Sequence, residues 1–476
     1  MSLTLRELGF DSDAHVAGLT CDSREVKPGY VFAALPGTVT DGRKYIEGAI
    51  EKGAGAILST AGPNLPVPYL ASDNPRFEYS KMAARLYAGQ PKTLVAMTGT
   101  NGKSSTVEFL RQIWAYAGHE AACFGTLGVQ SPKGYQPLTH TTPDAVALHQ
   151  TLSSLKSDGV THAAMEASSH GLDQYRLDGV KITASGFSNL TQDHFDYHTD
   201  AEDYFGAKAR LFTELTPADA SVVINVNDEF GQRLVDICKG RGQDVLQVGW
   251  SGQDIRIDEV MPHASSQIID FVVHGKRHKI ELPLAGEFQT LNAVAALGLA
   301  MVTGVTTDKA LEALEHLTGV AGRMERAGQT KDGAPIFVDF AHTEDGLDKL
   351  LRSVRPHTMG KIIVAFGCGG DRDPDKRPKM GRVAAKLADD VIVTDDNPRT
   401  EEAASIRKAV LKGCPDATEI GDRASAIRAG IQKLGANDCL VIAGKGHEQG
   451  QIIGTKTIPF SDVKQVQSAL KELGHV

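Results

Sequence analysis

The chain lacks any long apolar run: none of its stretches approaches the roughly 18 residues that a helix needs to cross a bilayer. Its first stretch, "MSLTLRELGFDSD", has no basic segment followed by an apolar one, so it does not have the pattern of a secretory signal. We therefore expect a cytoplasmic protein with no membrane partner.

Cysteine and positive charge are both in short supply. The six cysteines are dispersed without a close pair, which is typical of reduced thiols and not of a disulfide framework or a zinc site. Lys and Arg total 50 against 59 Asp and Glu, which gives a net charge of −9. Because neutralising phosphates needs a basic surface, this charge argues against nucleic-acid binding, and we expect small-molecule partners.

Short β-rich runs alternate with helical stretches along the whole chain, which predicts an α/β fold. Two turn-rich stretches, residues 87–93 and 319–326, interrupt the alternation. They predict three domains, residues 1–88, 89–322 and 323–476. The first is expected to be an α/β domain, the second a P-loop ATPase-like domain with a mostly parallel sheet, and the third a Rossmann-like domain.

The stretch "VAMTGTNGKSSTVEFL", residues 95–110, combines a strand, a Gly-rich turn and a helix start. Such a turn suits a polyphosphate: Lys103 would contact the β- and γ-phosphates of ATP, and Ser104 would help to hold Mg²⁺. Met97 stands where the general P-loop pattern has glycine, so a plain strand–helix turn is the alternative. The predicted ATP-binding residues here are Gly99, Thr100, Asn101, Gly102, Lys103, Ser104 and Ser105.

Three predicted strands near the C-terminus each feed a polar loop. "KIIVAF" precedes "GCGGDRD", "DVIVT" precedes "DDNPR", and "CLVIAG" precedes "KGHEQGQ". If these strands are parallel, the three loops share one edge of the sheet, where open α/β sheets bind ligands. The alternative for each loop is a polar turn with a purely structural role.

Nine short motifs occur in a fixed order along the chain. They are "TCDSR" (20–24), "TGTNGKSS" (98–105), "TTPD" (141–144), "MEASSHGLDQYR" (165–176), "DHFDYH" (193–198), "VDFAHT" (338–343), "GGDRD" (369–373), "DDNPR" (395–399) and "GKGHE" (444–448). Together they resemble the Mur ligases, the cytoplasmic enzymes that build the stem peptide of peptidoglycan. The ATP loop of that family has the spacing found here, so Met97 fits the family pattern.

This resemblance implies an ATP-dependent, ADP-forming ligase with Mg²⁺ as cofactor. Its N-terminal domain would bind UDP, and its C-terminal domain would bind an amino acid. The implied reaction joins meso-diaminopimelate to the D-glutamate of UDP-N-acetylmuramoyl-L-alanyl-D-glutamate through an acyl phosphate, and a monomer is expected. The alternatives are the same ligase using L-lysine, a ligase like folylpolyglutamate synthase, and an NTPase switch that forms no amide.

Glu166, His194 and Lys208 resemble the metal site of the family, together with Ser104. Lys208 falls on the apolar stripe of a predicted helix, "TDAEDYFGAKARLFTEL", whose start has the pattern of a capping box formed by Thr199 and Glu202. One interpretation is a lysine that extends from an apolar face to solvent. The resemblance instead implies a lysine carbamylated by CO₂, which would supply an anionic oxygen ligand to Mg²⁺.

The resemblance also implies contacts with the other substrates. Those with the UDP-linked dipeptide are Ser23, Thr38, Val39, Thr40, Thr141, Thr142, Ser168, Gln174 and Arg176. His140 replaces an asparagine common in the family, which leaves the role of this side chain open. Further ATP contacts are Asn292, Arg323 and Asp339.

The contacts implied for diaminopimelate are Arg372, Asp396, Asn397, Pro398, Arg399, Gly444 and Glu448. An amino-acid centre carries one carboxylate and one ammonium, which an arginine and an acid can recognise. L-Lysine lacks the distal carboxylate and would leave Arg399 without a partner. The sequence therefore predicts specificity for meso-diaminopimelate.

Overall fold

The computed structural model of the chain describes residues 3–37, 40–60, 65–191 and 197–475. These residues form two compact units: unit 1 comprises Met1–Ile255 and Val294–Ala310, and unit 2 comprises Arg256–Ala293 and Leu311–Val476. Helices and strands alternate in both units, which confirms the predicted α/β class. No helix of the described residues is long and apolar enough to cross a membrane.

Unit 1 contains strands β1 to β12 and helices α1 to α7. Its strands are Gly18–Thr20 (β1), Tyr30–Ala33 (β2), Ala56–Ser59 (β3), Tyr69–Ala71 (β4), Thr93–Thr98 (β5), Ala121–Gly125 (β6), Gly128–Ser131 (β7), Gly134–Gln136 (β8), His162–Glu166 (β9), Ala184–Phe187 (β10), Ser221–Asn225 (β11) and Asp244–Gly249 (β12). Its helices are Ile46–Glu51 (α1), Pro75–Leu86 (α2), Lys103–Tyr116 (α3), Ala145–Ser157 (α4), Ser169–Asp173 (α5), Ala201–Arg210 (α6) and Glu229–Gly240 (α7).

Unit 2 contains most residues of the remaining strands and helices, although residue 255 and residues 294–310 belong to unit 1. The strands are Ile255–Pro262 (β13), Gln267–Val273 (β14), Lys276–Leu282 (β15), Glu325–Gln329 (β16), Pro335–Asp339 (β17), Ile362–Phe366 (β18), Asp390–Val393 (β19), Thr418–Glu419 (β20), Cys439–Ala443 (β21), Gly450–Ile453 (β22) and Lys456–Pro459 (β23). The helices are Glu287–Val302 (α8), Thr307–Leu314 (α9), Glu344–Val354 (α10), Lys376–Leu387 (α11), Ala403–Leu411 (α12), Arg423–Gln432 (α13) and Asp462–Glu472 (α14).

The sheets of unit 1 are mostly parallel, as predicted. Strands β1 to β4 form a small parallel sheet in chain order. The main strands lie in the order β12-β11-β10-β5-β9-β6-β7-β8, parallel from β12 to β6 and antiparallel at β7 and β8. Strand β5 is buried along almost its whole length, because its apolar run is covered on both faces. The phosphate loop therefore starts from the middle of the sheet.

The main sheet of unit 2 has the order β16-β17-β21-β18-β19-β20. Strands β21, β18 and β19 are adjacent and parallel, with Val364 of β18 level with Val441 and Val391. This confirms that the three predicted polar loops leave one edge of one sheet. Alternate residues of β18 enter two different hydrophobic cores: Val364 packs in one and Ala365 in the other. Because successive side chains of a strand point to opposite faces, β18 packs against a hydrophobic core on each face of the sheet.

A fully buried ion pair joins helix α13 to helix α14. Arg423 Nε and Nη2 lie 2.7 Å from the two carboxylate oxygens of Asp462, and neither side chain is exposed. Arg423 Nη2 also donates to the carbonyl of Ala443, at 3.0 Å, and Nη1 donates to that of Asp395, at 3.4 Å. The guanidinium therefore fastens the ends of β21 and β19, from which two of the three polar loops begin.

We expect Arg423→Met to lower the free energy of unfolding by about 3–5 kcal/mol, because it leaves the buried Asp462 carboxylate without its cation. Arg428→Ala on the same helix is the matched control. Arg428 pairs with Glu472, but the two side chains are 48% and 51% exposed, so a change below about 1 kcal/mol is expected. Urea unfolding of both variants measures the difference, and equal losses would contradict the expectation.

Candidate functional site

The phosphate loop connects β5 to α3 through two glycines with positive φ. Gly99 has φ 142° and Gly102, the N-cap of α3, has φ 88°. A Cβ at Gly99 would lie 1.9 Å from Ser188 Oγ, so the loop passes too close to its neighbour for a side chain. The first N–H groups of α3 have no intrahelical acceptor, which makes the loop suitable for an anion.

Hydrogen bonds from the loop to Asn189, which follows strand β10, hold the phosphate loop in place. Thr100 N donates to the Asn189 carbonyl at 2.8 Å, and Asn101 N donates to Asn189 Oδ1 at 3.0 Å. Lys103 Nζ donates to the carbonyls of Gly99 and Thr100, at 2.9 and 2.8 Å. Its ammonium is thus held over the loop, where it could exchange a carbonyl oxygen for a phosphate oxygen. Ser105, next along α3, is buried.

Glu166 lies at the carboxyl end of β9 with its carboxylate against the phosphate loop. Ser104 Oγ donates to Glu166 Oε1 at 2.9 Å. Thr126, which the sequence did not single out, donates to the same carboxylate through N, at 2.8 Å, and through Oγ1, at 3.2 Å. A Cβ at Gly125 would lie 2.2 Å from Oε1, so glycine makes room for the acid. The structure therefore brings together the predicted Ser104 and Glu166.

Lys208 is buried, with 1% of its surface exposed, as its place on the apolar stripe of α6 predicts. Its Nζ donates to the Gly99 carbonyl at 2.8 Å and lies 4.3 Å from the centre of the Tyr204 ring. This carbonyl is the one that also accepts from Lys103. Lys208 is thus next to the phosphate loop, and its carbamylation stays a prediction.

The predicted start of helix α6 is wrong by one residue. Asp200 is the N-cap, and its side chain accepts from Asp203 N, in place of the expected capping box of Thr199 and Glu202. Asp203 Oδ2 in turn accepts from Thr199 N at 3.1 Å, so the reciprocal bond is made by an aspartate one position later. The helix ends in a π-helical turn at Leu211–Leu215, directly after the segment that carries Lys208.

The residues around Glu166 fit a magnesium ion, because hard divalent cations prefer oxygen ligands. Ser104 Oγ and the Glu166 carboxylate are adjacent, and a carbamate on Lys208, whose Nζ bonds the Gly99 carbonyl, would add oxygens. His194 lies outside the described residues. Within the described part of the chain, no three His, Cys, Asp or Glu side chains cluster as a metal site. The fit therefore rests on a hydroxyl and a carboxylate, to which a carbamate on Lys208 would add a third group.

Predicted dipeptide contacts form a hydrogen-bonded chain that begins at Glu166. Thr142 Oγ1 donates to the Glu166 carbonyl at 2.9 Å and accepts from the N and Oγ of Ser168, both at 3.0 Å. Thr141 Oγ1 lies 3.0 Å from Thr126 Oγ1, a partner of the same glutamate. These three predicted residues therefore lie beside the phosphate loop.

Arg176 and Gln174 extend this chain. Arg176 donates to the Thr142 carbonyl at 2.6 Å and to Gln174 Oε1 at 2.8 Å, and burial lowers its pKa. Arg210, two residues after Lys208, holds the same segment: it donates to the Leu172 carbonyl at 2.7 Å. The helix that carries Lys208 thus also positions the segment of Gln174 and Arg176.

The predicted uridine contacts lie in the small N-terminal sheet region. Ser23 is half-buried in a turn, and its carbonyl accepts from Lys52 Nζ at 2.8 Å. Thr40 is exposed, while Thr38 and Val39 lie outside the described residues. His140 is also exposed, and its Nδ1 lies 3.1 Å from Thr139 Oγ1. None of these contacts indicates a ligand by itself.

The three remaining ATP candidates belong to unit 2. Asn292 is buried on α8 and donates to Gln289 Oε1 at 3.2 Å. Asp339 accepts from the N–H groups of Met324, at 2.7 Å, and Ala341, at 2.8 Å, and burial raises its pKa although Arg323 and these bonds oppose the shift. Asp339 thus has a structural role at the end of β17, and a contact of these residues with ATP stays a prediction.

Asn397 and Glu448, from two of the three polar loops of unit 2, meet at a buried lysine. Lys445 Nζ is wholly buried and donates to Asn397 Oδ1, at 2.9 Å, and Glu448 Oε2, at 2.8 Å. Asn397 Nδ2 donates to the same Glu448 oxygen at 2.8 Å. Burial disfavours the charged carboxylate, yet the bonds from Lys445 and Asn397 lower the pKa of Glu448. Lys445 is a site residue that sequence reasoning missed.

Arg399 is held by its backbone in the left-handed region, with φ 53°. Its N–H donates to the Ile452 carbonyl at 3.0 Å, and its carbonyl accepts from Gly454 N at 2.7 Å, so the hairpin of β22 and β23 fixes the turn. Its Nη1 donates to the Gly370 carbonyl at 2.7 Å, which brings the first polar loop to the second. Pro398 before it is buried and cannot donate a hydrogen bond.

Asp396 is 6% exposed and lies against Gly444. A Cβ at Gly444 would approach Asp396 Oδ2 to 2.5 Å, which explains glycine there. Burial raises the pKa of Asp396, although Arg423 and Lys445 oppose the shift. Arg372 is exposed, and its Nη1 donates to the neighbouring Asp371 carbonyl at 3.4 Å. The structure therefore gathers the predicted diaminopimelate contacts except Arg372, which stays apart on its loop.

The parallel sheets, the phosphate loop and the strand-end loops define a nucleotide-binding α/β protein of several domains. Three family profiles match the chain: "Mur ligase family, catalytic domain" over residues 15–89, "Mur ligase middle domain" over 97–300, and "Mur ligase, glutamate ligase domain" over 322–446. The chain belongs to the Mur ligase family.

Relatives of similar length share about half of the sequence. The UDP-N-acetylmuramoyl-L-alanyl-D-glutamate--2,6-diaminopimelate ligase of Agrobacterium fabrum is 51% identical, over 99% of this chain and 96% of its own. The protein of that name from Mesorhizobium japonicum is 50% identical, over 97% and 96%. In both relatives the aligned region includes all three family matches.

One solved structure supports the same family, and a second shows a similar fold. A structure bearing the same ligase name is 31% identical, covers 100% of both chains and superposes with a TM-score of 0.76. A folylpolyglutamate synthase of Mycobacterium tuberculosis, complexed with ADP and AMPPCP, is 17% identical with a TM-score of 0.60, over 84% of this chain and 94% of its own. The second similarity shows the fold alone.

Proposed function

We propose that the protein is the ligase that adds meso-diaminopimelate to UDP-N-acetylmuramoyl-L-alanyl-D-glutamate in the cytoplasm. The observation that carries this proposal is the cluster of Asn397, Arg399 and Glu448 at one edge of the unit 2 sheet, with the amide, cation and acid that an amino-acid centre needs. Relatives with this substrate in their names support it. The proposed domains are residues 1–88, 89–322 and 323–476, in a monomer.

The proposed nucleotide is ATP, with its phosphates on the loop from Gly99 to Ser105. Lys103 would bind the β- and γ-phosphates, and Asn292, Arg323 and Asp339 would contact the nucleoside. Mg²⁺, when bound by Ser104, Glu166, His194 and carbamylated Lys208, supplies neutralisation of the phosphate charge. The proposed sites of the UDP-linked dipeptide are Ser23, Thr38, Val39, Thr40, Thr141, Thr142, Ser168, Gln174 and Arg176.

The reaction proceeds in two steps. The D-glutamate carboxylate attacks the γ-phosphorus of ATP, the bond to the β-phosphate oxygen breaks, and ADP leaves. The neutral amine of diaminopimelate then adds to the acyl carbon, phosphate leaves, and the amine loses a proton. Lys103 stabilises the charge on the transferring group, while the segment of Thr142 and Arg176 holds the carboxylate in line. Catalysis is thus mainly positioning and electrostatics.

The choice of amino acid follows from the second centre of meso-diaminopimelate. Its carboxylate would pair with Arg399 and Arg372, and its ammonium with the acids of the loops. L-Lysine has no carboxylate at that end. Bound L-lysine would leave the charge of the half-buried Arg399 without a partner. A site that leaves a buried charged group unpaired discriminates strongly against such a ligand.

ADP release with the UDP-linked dipeptide and each of meso-diaminopimelate, L-lysine and L-ornithine tests the function. We expect release that requires both the dipeptide and meso-diaminopimelate. Equal activity with L-lysine would refute the specificity. ADP release without any amino acid or dipeptide would indicate an NTPase that forms no amide and would refute the ligase assignment.

A further inference from the structure

Five charged side chains lie buried or half-buried under the amino-acid pocket of unit 2. They are the cations Arg423 and Lys445 and the acids Asp396, Glu448 and Asp462. Arg423 pairs with Asp462, at 2.7 Å, and Lys445 pairs with Glu448, at 2.8 Å. The cluster therefore holds one acid more than its cations neutralise.

Asp396 is the acid left over. Its backbone carbonyl accepts from Gln451, but no donor among the described residues reaches its carboxylate oxygens. Oδ2 occupies the space beside Gly444 that a side chain would fill, since a Cβ there would lie 2.5 Å from it. Asp396 is 6% exposed, and a largely buried carboxylate without a hydrogen bond is unfavourable unless a ligand supplies a donor. The single uncompensated charge matches the single ammonium of one amino-acid centre.

We propose that Lys445 is a positioning residue of this pocket: it neutralises Glu448 and fixes the Asn397 amide, so that Asp396 pairs with the ligand ammonium. The inference rests on the proposed function and deepens it, because it separates the roles of two acids that the resemblance treats alike. Lys445 is wholly buried, so it acts through Asn397 and Glu448 and not on the ligand.

The remaining hydrogen bonds agree with this division. Asn397 Oδ1 accepts from Lys445 Nζ and from Ile452 N, at 2.9 Å, so both of its lone pairs are used within the protein. Glu448 Oε2 accepts from Lys445 and Asn397, which leaves Oε1 as the oxygen that can still accept from a ligand. Glu448 therefore adds a hydrogen bond to the pocket without adding net charge.

Removing Lys445 would leave Glu448 without its cation, next to the second acid Asp396. The other titratable neighbours are Arg423 and Asp462, which act on Asp396, and His447, which acts on Glu448. Burial lowers the pKa of His447. Two such acids share a proton more readily, since burial and like charge both favour the neutral form. The protonated pair binds an ammonium less well, so binding weakens further as the pH falls.

The test compares steady-state constants of full-length variants with meso-diaminopimelate. For Lys445→Met we expect KM for this amino acid to rise about 30-fold, with kcat and KM for ATP within about threefold. The KM ratio of variant to wild type should grow as the pH falls from about 8.5 to about 6.5. Lys445→Met/Glu448→Gln, which removes both charges, should recover most of the loss and the wild-type pH profile.

Two further comparisons keep the inference open to refutation if Lys445→Met folds poorly. Asp396→Asn should raise KM for meso-diaminopimelate at least about tenfold more than Glu448→Gln does, and the reverse order would overturn the assignment. Lys456→Met, an exposed lysine of the neighbouring hairpin, should behave as wild type. The assignment would also be overturned if Lys445→Met/Glu448→Gln had a KM for meso-diaminopimelate as high as that of Lys445→Met. Wild-type enzyme inactive with meso-diaminopimelate would instead refute the proposed function.

Discussion

Lys208→Ala is expected to lower kcat about 10³-fold, equivalent to about 4 kcal/mol of transition-state stabilisation. The carbamate of Lys208 would supply anionic oxygens beside Glu166 and Ser104, and alanine supplies none. The loss should be seen as ADP release at saturating ATP and dipeptide, with the KM for meso-diaminopimelate changed little, because the amino-acid loops belong to unit 2.

Lys208→Arg separates the carbamate from a simple cation. Arginine keeps a donor for the Gly99 carbonyl, which accepts from Lys208 at 2.8 Å, but it cannot add CO₂. If the carbamate matters, the arginine variant is as slow as the alanine variant, and wild-type activity falls in CO₂-depleted buffer and returns with bicarbonate. Undiminished turnover of Lys208→Ala, or full activity of Lys208→Arg, would rule out carbamylation as a requirement.

Arg399→Ala is expected to lower kcat/KM for meso-diaminopimelate about 10³-fold while changing that for L-lysine little. The guanidinium is the group proposed to pair with the distal carboxylate, which L-lysine does not have. The ratio of the two kcat/KM values, measured for wild type and variant, isolates this contribution from any general loss of activity. The variant should therefore discriminate poorly between the two amino acids.

Arg428→Ala is the control for this experiment, because Arg428 lies in unit 2 but forms only an exposed ion pair with Glu472. It should keep the wild-type ratio. Arg372→Ala gives a third measurement: Arg372 is exposed, so we expect a smaller loss than for Arg399→Ala. A variant at Arg399 that loses activity equally with both amino acids would mean that the arginine supports the fold of the loop and not the choice of substrate.

The strands and the phosphate loop could be predicted because their signals are local. An apolar run followed by "GTNGKS" specifies a buried strand, a turn that needs positive φ and a helix start, all within neighbouring residues. The adjacency of the three C-terminal loops was predictable for a related reason, since parallel strands place their carboxyl ends at one edge. In both cases the order of residues along the chain is enough to predict the local geometry.

The partners of the site residues could not be predicted in this way. Thr126 contacts Glu166 from a position 40 residues earlier, and Arg423 reaches the ends of two strands from a helix. Lys445 stands in a polar, Gly-rich loop, where a lysine normally faces solvent, and only its contacts with Asn397 and Glu448 turn it inward. The cap of α6 was missed because Thr199, Asp200 and Asp203 offer overlapping capping patterns.

The hairpin of β22 and β23 has a consequence for how substrate choice can change. It forms a separate two-stranded sheet and holds Arg399 through the backbone of Ile452 and Gly454. Most side chains of the hairpin could therefore change without loss of these bonds, whereas position 454, with φ 59°, favours glycine. Its turn is closed by Gly454 and Thr455 between paired Ile453 and Lys456. Lengthening this turn by one or two residues would displace Arg399 with every pocket side chain retained. Selectivity can thus diverge by insertion, outside the motifs by which such pockets are usually recognised.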